Sequence, residues 1–414
     1  MRFSLRRCCS LLLRDWEQSD CFAADLVDKA ASKFRLDSRD RAALQRLMYA
    51  VIRNQRLLDH VIDSLVRDRP DPLSRRLLRI GLADLLLLEA PPHAVVHETV
   101  GLAGRTKPMV NAVLRRATRE GELIRSAWTT LPPEIRWSVP SILWQRWREQ
   151  FGPDHSLQLA IWNQQPSSVY LRLNAPPQKT LDLAAADVVP IERFPAYVRL
   201  NGSLPREWLE SGCAYAQDPS TQPAVAQLDL RPGCTVLDAC AAPGGKTLAI
   251  IQAAADLQVW ATDQSEERLA QLTGNLRRLR LDQAVEVGLQ NWLEPISPKL
   301  ANQRFDRILI DAPCSNTGVI RRRIDVPWRL QKSDFAKHQQ TQLALLTNLV
   351  PRLAVGGRIV YSTCSLDREE NEAVTEAFLK SHPALRLVSE TRILPWIDGF
   401  DGAYSAAFIT MTPH

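Results

Sequence analysis

Residues 236–247 read VLDACAAPGGKT, and residues 307–314 read RILIDAPC. In each, a run of apolar residues ends on an aspartate, Asp238 or Asp311, and a short loop of small residues follows. A helix is expected to start near Lys246, so the first stretch reads as strand, tight loop and helix. The same alternation extends on both sides. Strands are expected over Thr235–Asp238, Gln258–Asp263, Val285–Val287, Arg307–Asp311 and Arg358–Ser362. Helices are expected over Lys246–Ala255, Glu266–Leu279, Asp334–Leu349 and Glu369–Lys380. Alternation of this kind specifies a doubly wound, mostly parallel α/β sheet. Ligands of such sheets bind at the carboxyl ends of the strands, where Asp238, Asp263, Asp311 and Cys364 fall.

Upstream the texture differs. Residues 1–125 repeat apolar side chains at helical spacing, as in Leu44, Leu47, Met48, Val51 and Ile52, and in Leu77, Leu78, Leu82, Leu85 and Leu86. Between Pro132 and Pro205 ten prolines punctuate the chain, and Ser168–Asn174 alternates like a strand. Three domains are therefore expected: an all-α domain over 1–130, a small α+β connecting domain over 131–217, and the α/β domain over 218–414.

The 414 residues are 45% hydrophobic and 24% charged, an ordinary globular balance. No stretch approaches the roughly 20 apolar residues of a membrane span. The apolar run Cys8–Leu13 is too short for a signal-peptide core, so a cytoplasmic protein away from membranes is expected. The net charge of +6 is unevenly spread: residues 1–130 hold 23 Lys and Arg against 16 Asp and Glu, and the remainder holds 29 against 30. The basic excess of the helical domain suits a polyanionic partner such as nucleic acid. Eight cysteines include no C-x-x-C pair, and the histidines lack ligand spacing, so no metal site is expected.

Gly245-Lys246-Thr247 matches the end of a P-loop. However, Cys240 stands where that motif needs glycine, and Pro243 removes an N–H donor. A nucleoside site fits better. Asp263 lies 19 residues past Gly244 at a strand end, close to the ~20-residue spacing at which a carboxylate takes ribose hydroxyls. The absence of G-x-G-x-x-G favours the single nucleoside of S-adenosylmethionine over a dinucleotide. Cys314 and Cys364 follow two strands at the same edge. A methyl donor beside thiols points to methylation of a pyrimidine at carbon 5. A thiolate adds to carbon 6, carbon 5 becomes enamine-like and takes the methyl group, a base removes its proton, and the thiol is eliminated. Asp311 is placed to share a proton with ring nitrogen 3.

DACAAPGGKT, FDRILIDAPCSNTGVIRRRIDVPW and VYSTCSLDREENE resemble the RNA cytosine-5 methyltransferases of the RsmB (Sun/Fmu) type. LLRIGLADLLLLEAPPHAVVHETV and VNAVLRR resemble that group's NusB-like domain. The resemblance covers essentially the whole chain and implies a Rossmann-like methyltransferase domain. It implies Cys364 as nucleophile, Cys314 in product release, and S-adenosyl-L-methionine held by Cys240, Ala241, Ala242, Pro243, Gly244, Gly245 and Lys246, with Asp263 and Asp311 as further contacts. The implied substrate is a cytosine of small-subunit (16S) ribosomal RNA, the family target being cytosine 967 in rRNA numbering. A monomer is expected. In one place the sequence departs from the family, which usually carries an acidic residue near the adenine. Here Leu289-Gln290-Asn291 stands, so Gln290 or Asn291 would have to meet the adenine amino group. Arg321-Arg322-Arg323, seven residues past Cys314, reads as an RNA phosphate clamp, and Trp328 as either a base-stacking ring or a loop anchor. The helical domain taken alone would also suit a non-catalytic RNA-binding or antitermination factor.

Overall fold

A computed structural model describes residues 4–174, 187–202 and 204–411. Pro176 and Pro177 of the proline-rich stretch lie outside the described residues. The chain forms two compact units: Met1–Gln165 with Arg322–Arg329, and Pro166–Arg321 with Leu330–His414.

The first unit is helical, as its periodicity requires. Its main helices span Leu5–Gln18, Ala23–Phe34, Ser38–Arg53, Gln55–Leu65, Pro72–Leu82, Pro92–Leu102 and Lys107–Arg119. Asp37 caps the third by accepting from Asp40 N–H, and Asp71 caps the fifth by accepting from Leu73 and Ser74 N–H. Leu44, Leu47, Met48, Val51 and Ile52 are all at most 1% exposed. Each such side chain contributes about 1.5–3 kcal/mol relative to exposure. The helix Ser141–Gln164 belongs to this unit. It turns at Gly152, where φ is +78° and Pro153 opens the second half.

The segment Arg322–Arg329 also belongs here. Ile324 is 3% exposed within the helical core, and Asp325 accepts hydrogen bonds from the Trp16 indole at 2.6 Å and from Ala23 N–H at 2.8 Å. Arg329 donates to the carbonyls of Asp20 and Cys21. Trp328 packs against the same core.

The second unit holds two sheets. β1 (Val169–Leu173), β2 (Val188–Pro190), β3 (Tyr197–Leu200) and β4 (Ala214–Ala216) form an antiparallel sheet in the order β2-β3-β1-β4. β5 (Thr235–Asp238), β6 (Gln258–Asp263), β7 (Val285–Leu289), β8 (Phe305–Asp311), β9 (Leu353–Thr363), β10 (Leu385–Ile393) and β11 (Ala403–Thr410) form the larger one, in the order β10-β11-β9-β8-β5-β6-β7. β5 to β9 run parallel, and β11 and β10 are added antiparallel at one edge. Central strands covered on both faces are apolar throughout, and Val236, Leu237, Ile308, Leu309, Ile310, Ile359 and Val360 are all 0% exposed.

The strand–helix alternation is found as expected, but β10 and β11 were not anticipated. The boundaries also differ from the three-domain reading. The strands of the 131–217 stretch join the α/β unit, its long helix joins the helical unit, and the helical unit recruits eight residues from within 218–414. Proline frequency marks interruptions of regular structure, whereas these units are defined by packing, so the two divisions follow different properties of the chain.

Candidate active site

The order of strands reverses on either side of β5, which pairs with β6 on one side and β8 on the other. The crevice of such a sheet opens there. β5 delivers Asp238, which is completely buried. Its Oδ2 accepts from the Thr247 hydroxyl at 2.7 Å, and its Oδ1 has no hydrogen-bond partner. Burial pushes this carboxyl up to about 7.

The loop Ala239–Gly244 carries a cis Ala242–Pro243 bond and ends on Gly244, the N-cap of the helix Gly245–Ala253. Gly244 has φ +111°, and a Cβ there would lie 2.5 Å from Leu272 Cδ1, so only glycine fits. A Cβ on Gly245 would press to 3.0 Å from the Gln217 amide. Burial drives the Cys240 thiol far above its ordinary value, so it is a packing group and not a nucleophile.

Asp263, at the end of β6, is only 2% exposed. It accepts from Ala242 N–H at 3.2 Å and Ser265 N–H at 3.0 Å, and Arg268 lies across it at 3.5 Å. Its carboxylate thus pins the glycine loop, a task the ribose reading did not include. Gln290 corrects an expectation more fully. Its amide is 5% exposed and turned into its own loop, donating to Asn291 O and accepting from Ser297 N–H. Asn291 is likewise engaged, with Glu294 and Leu293 N–H. The outward side chain at this strand end is that of Leu289, 55% exposed. The short polar turn after β7 consumes both amides, so neither is offered to an adenine.

β8 and β9 lead into Asp311, Cys314 and Cys364, the side chains expected to react. Asp311 is paired with Lys246 at 2.7 Å and accepts from the Ser362 hydroxyl at 2.8 Å. Burial is the largest influence and pulls the Lys246 ammonium down, but Asp311, Cys364 and Asp238 together outweigh it and hold Lys246 above its ordinary value. Cys314 and Cys364 meet with their sulfurs 3.4 Å apart. Cys314 is 7% exposed, and its thiol is raised well above its ordinary value, first by the hydrogen bond to Cys364 and then by burial. Cys364 is the more accessible of the two. Asn316, in the left-handed region at φ +60°, takes the Cys364 thiol on its Oδ1 at 3.2 Å and donates its amide to Cys314 O at 2.9 Å.

The arginine tract is not a unit. Arg321 is 3% exposed and lies 3.6 Å from Asp401, itself 2% exposed, which removes it from any phosphate clamp. Arg322 and Arg323 lie in the segment of the helical unit, where the Arg323 guanidinium sits over the Phe22 ring at 5.7 Å. The residues missed from sequence are Asn316, Ser362, Gln342 and Glu370. The signal for Asn316 and Glu370 was present: polar side chains crowd the segments just after the two cysteines, SNT after Cys314 and SLDREEN after Cys364. Among the described residues no group of His, Cys, Asp and Glu could hold a metal, and no helix is long and apolar enough to cross a membrane.

Residues 225–409 match the family described as 16S rRNA methyltransferase RsmB/F, and residues 5–119 match the NusB family. A ribosomal RNA small subunit methyltransferase B of Citrobacter koseri is 34% identical over 388 residues, covering 89% of each chain. The crystal structure of PH0851 superposes with a TM-score of 0.76 at 23% identity, covering 99% of both chains. The structure of NSun6 from Pyrococcus horikoshii with SFG superposes with a TM-score of 0.58 at 17% identity, covering 66% of this chain and 99% of that one. These two share the fold. The match along nearly the whole chain at 34% identity, with the two family matches, shows that this protein belongs to the RsmB/F family of 16S ribosomal RNA methyltransferases and carries a NusB-family domain over residues 5–119.

Proposed function

We propose that this enzyme methylates carbon 5 of one cytosine of 16S ribosomal RNA, cytosine 967 in rRNA numbering, through a covalent adduct on Cys364. The observation that carries the reading is the pair of thiols at 3.4 Å beside a carboxylate held by a lysine. S-adenosyl-L-methionine supplies an electrophilic sulfonium methyl group. The residues present fit it: a glycine-lined loop opens a helix N-terminus, and Asp238 leaves a buried oxygen without a partner. Cys240–Lys246 would hold the donor, with Asp263 bracing the loop and Asp311 closing the site.

Cys364, the more accessible thiol, adds to carbon 6 of the cytosine. Asp311, fixed by Lys246 and Ser362, shares a proton with ring nitrogen 3 and limits the negative charge built there. Carbon 5 then takes the methyl group. A base takes the carbon-5 proton, and Cys314, touching Cys364, assists the elimination that releases the product. The Cys364–carbon 6 bond breaks and the thiolate is restored. The target base must leave its stack to reach Cys364. The basic helical unit supplies phosphate contacts from its exposed surface. We place the protein in the cytoplasm, as a monomer working on RNA without metal.

The test is a pair of variants. Cys364→Ala is expected to lose methyl transfer and adduct. Cys314→Ala is expected to accumulate enzyme bound to RNA through Cys364, seen as a slow band on a denaturing gel when donor is present. Adduct in Cys364→Ala, or normal turnover in both variants, overturns the mechanism.

A further inference from the structure

One buried group outside the reacting set touches both cysteine loops. Glu370 ends the short turn Arg368–Glu370, six residues past Cys364, and is 0% exposed. Its Oε2 accepts from Ser315 N–H, next to Cys314, at 2.8 Å. Its Oε1 accepts from the Ser365 hydroxyl, next to Cys364, also at 2.8 Å. Gln342 donates to Glu370 Oε2 at 3.1 Å and to Pro313 O at 3.0 Å, so it too fastens the Cys314 loop.

The need for such a brace follows from the sheet. β8 and β9 pair in register up to Asp311 and Ser362, and the ladder ends with Ala312 N–H on Ser362 O at 2.9 Å. The two cysteines lie beyond that last rung. The next backbone link, Gly318 N–H to Cys364 O at 2.9 Å, sits four residues past Cys314. A buried carboxylate is costly unless its oxygens are hydrogen-bonded, and here both oxygens are held by the two loops and by the glutamine that fastens one of them.

We propose that Glu370 is a positioning residue: it clamps Ser315 and Ser365 and thereby holds the Cys314 and Cys364 sulfurs in contact. The proposal rests on the thiol mechanism above for its catalytic consequence, but not for its geometry.

The geometry is read without RNA or donor. Diamide oxidises two touching thiols to one disulfide and takes up their two hydrogens, and peptide mass mapping locates the bond. In Glu370→Ala the Cys314–Cys364 bond is expected to form at least ~10-fold more slowly than in wild type. kcat is expected to fall about 100-fold, the scale of an ångström-size misplacement, with donor Kd and RNA KM unchanged. Glu370→Gln is expected to rescue most of both. Its carbonyl oxygen can take Ser315 N–H, and the Ser365 hydroxyl can turn to accept from its amide.

Wild-type trapping and kcat in Glu370→Ala, or a glutamine variant as impaired as the alanine one, overturns the proposal. If Glu370→Ala fails to bind donor and so has not folded, Glu370→Asp keeps the carboxylate but shortens its reach by one methylene, loosening its hold on the two loops. Slower trapping there supports the brace, and wild-type trapping overturns it. Failure of the thiol mechanism would show separately, as methyl transfer by Cys364→Ala with trapping in Glu370→Ala still slowed.

Discussion

Asp238→Asn should make this protein more stable, and by an amount that depends on pH. Asp238 is fully buried with one oxygen unpartnered, and burial raises its carboxyl from 3.8 to about 7. The folded state therefore holds a proton there that the unfolded chain has already released. Below about pH 4 both states are protonated and the group costs nothing. As pH rises through 4 to 7 the unfolded chain ionises first, so stability is lost across that window and the full cost is present above 7. The linkage gives a cost of about 2 kcal/mol at pH 5 and about 4 kcal/mol at pH 8. Asparagine keeps an oxygen for the Thr247 hydroxyl and carries no charge. Urea unfolding of both proteins at the two pH values isolates the effect, because every other titrating group is common to them. The variant should gain at least ~2 kcal/mol more at pH 8 than at pH 5. An equal change at both values, or a loss that grows with pH, would refute the argument that Asp238 is ionised against its surroundings.

Asp325→Ala should destabilise the helical unit by about 2–4 kcal/mol, since it removes a buried acceptor from the Trp16 indole and from Ala23 N–H. Asp325→Asn should cost less, and urea titration followed by far-UV circular dichroism compares the two. Gly244→Ala places a methyl group against Leu272 at a left-handed φ. A loss of about 1–3 kcal/mol with weaker donor binding by calorimetry is expected. Asp263→Ala frees the loop at Ala242 N–H and should weaken donor binding by ~1–3 kcal/mol, with unchanged affinity counting against its role. Arg321→Lys should lower stability and leave the salt dependence of RNA binding unchanged. A reduced slope of log affinity on log salt would return Arg321 to the RNA surface.

The parallel part of the large sheet was legible because its period is strong. Apolar runs ending on Asp238, Asp263 and Asp311 locate the strand ends to the residue, and these are where the chemistry sits. Pairing was not legible in the same way. That Cys314 and Cys364, fifty residues apart, touch depends on β8 and β9 being neighbours in register, which no local pattern encodes. Arg321 and Gln290 failed for a common reason. Each was judged by its type and its place in the chain, but burial and an internal partner decide whether a polar side chain is available to a ligand. β10 and β11 were missed because their alternation is weak: LRLVSETRI is a half-covered edge strand, and AYSAAFIT, buried between β10 and β9, mixes small and polar residues with its apolar ones.

The eight residues Arg322–Arg329 impose a schedule on synthesis. The helices up to Gln165 emerge first, but Ile324 and Asp325, which complete their core, are made more than 150 residues later. At about 5–20 residues per second the growing chain waits roughly 8–30 s with that core unfinished. The NusB-like unit therefore completes its core only after β8 has been made. A gene cut between the two halves would yield an N-terminal fragment lacking part of its own interior, which only the 322–329 peptide supplied in trans could restore.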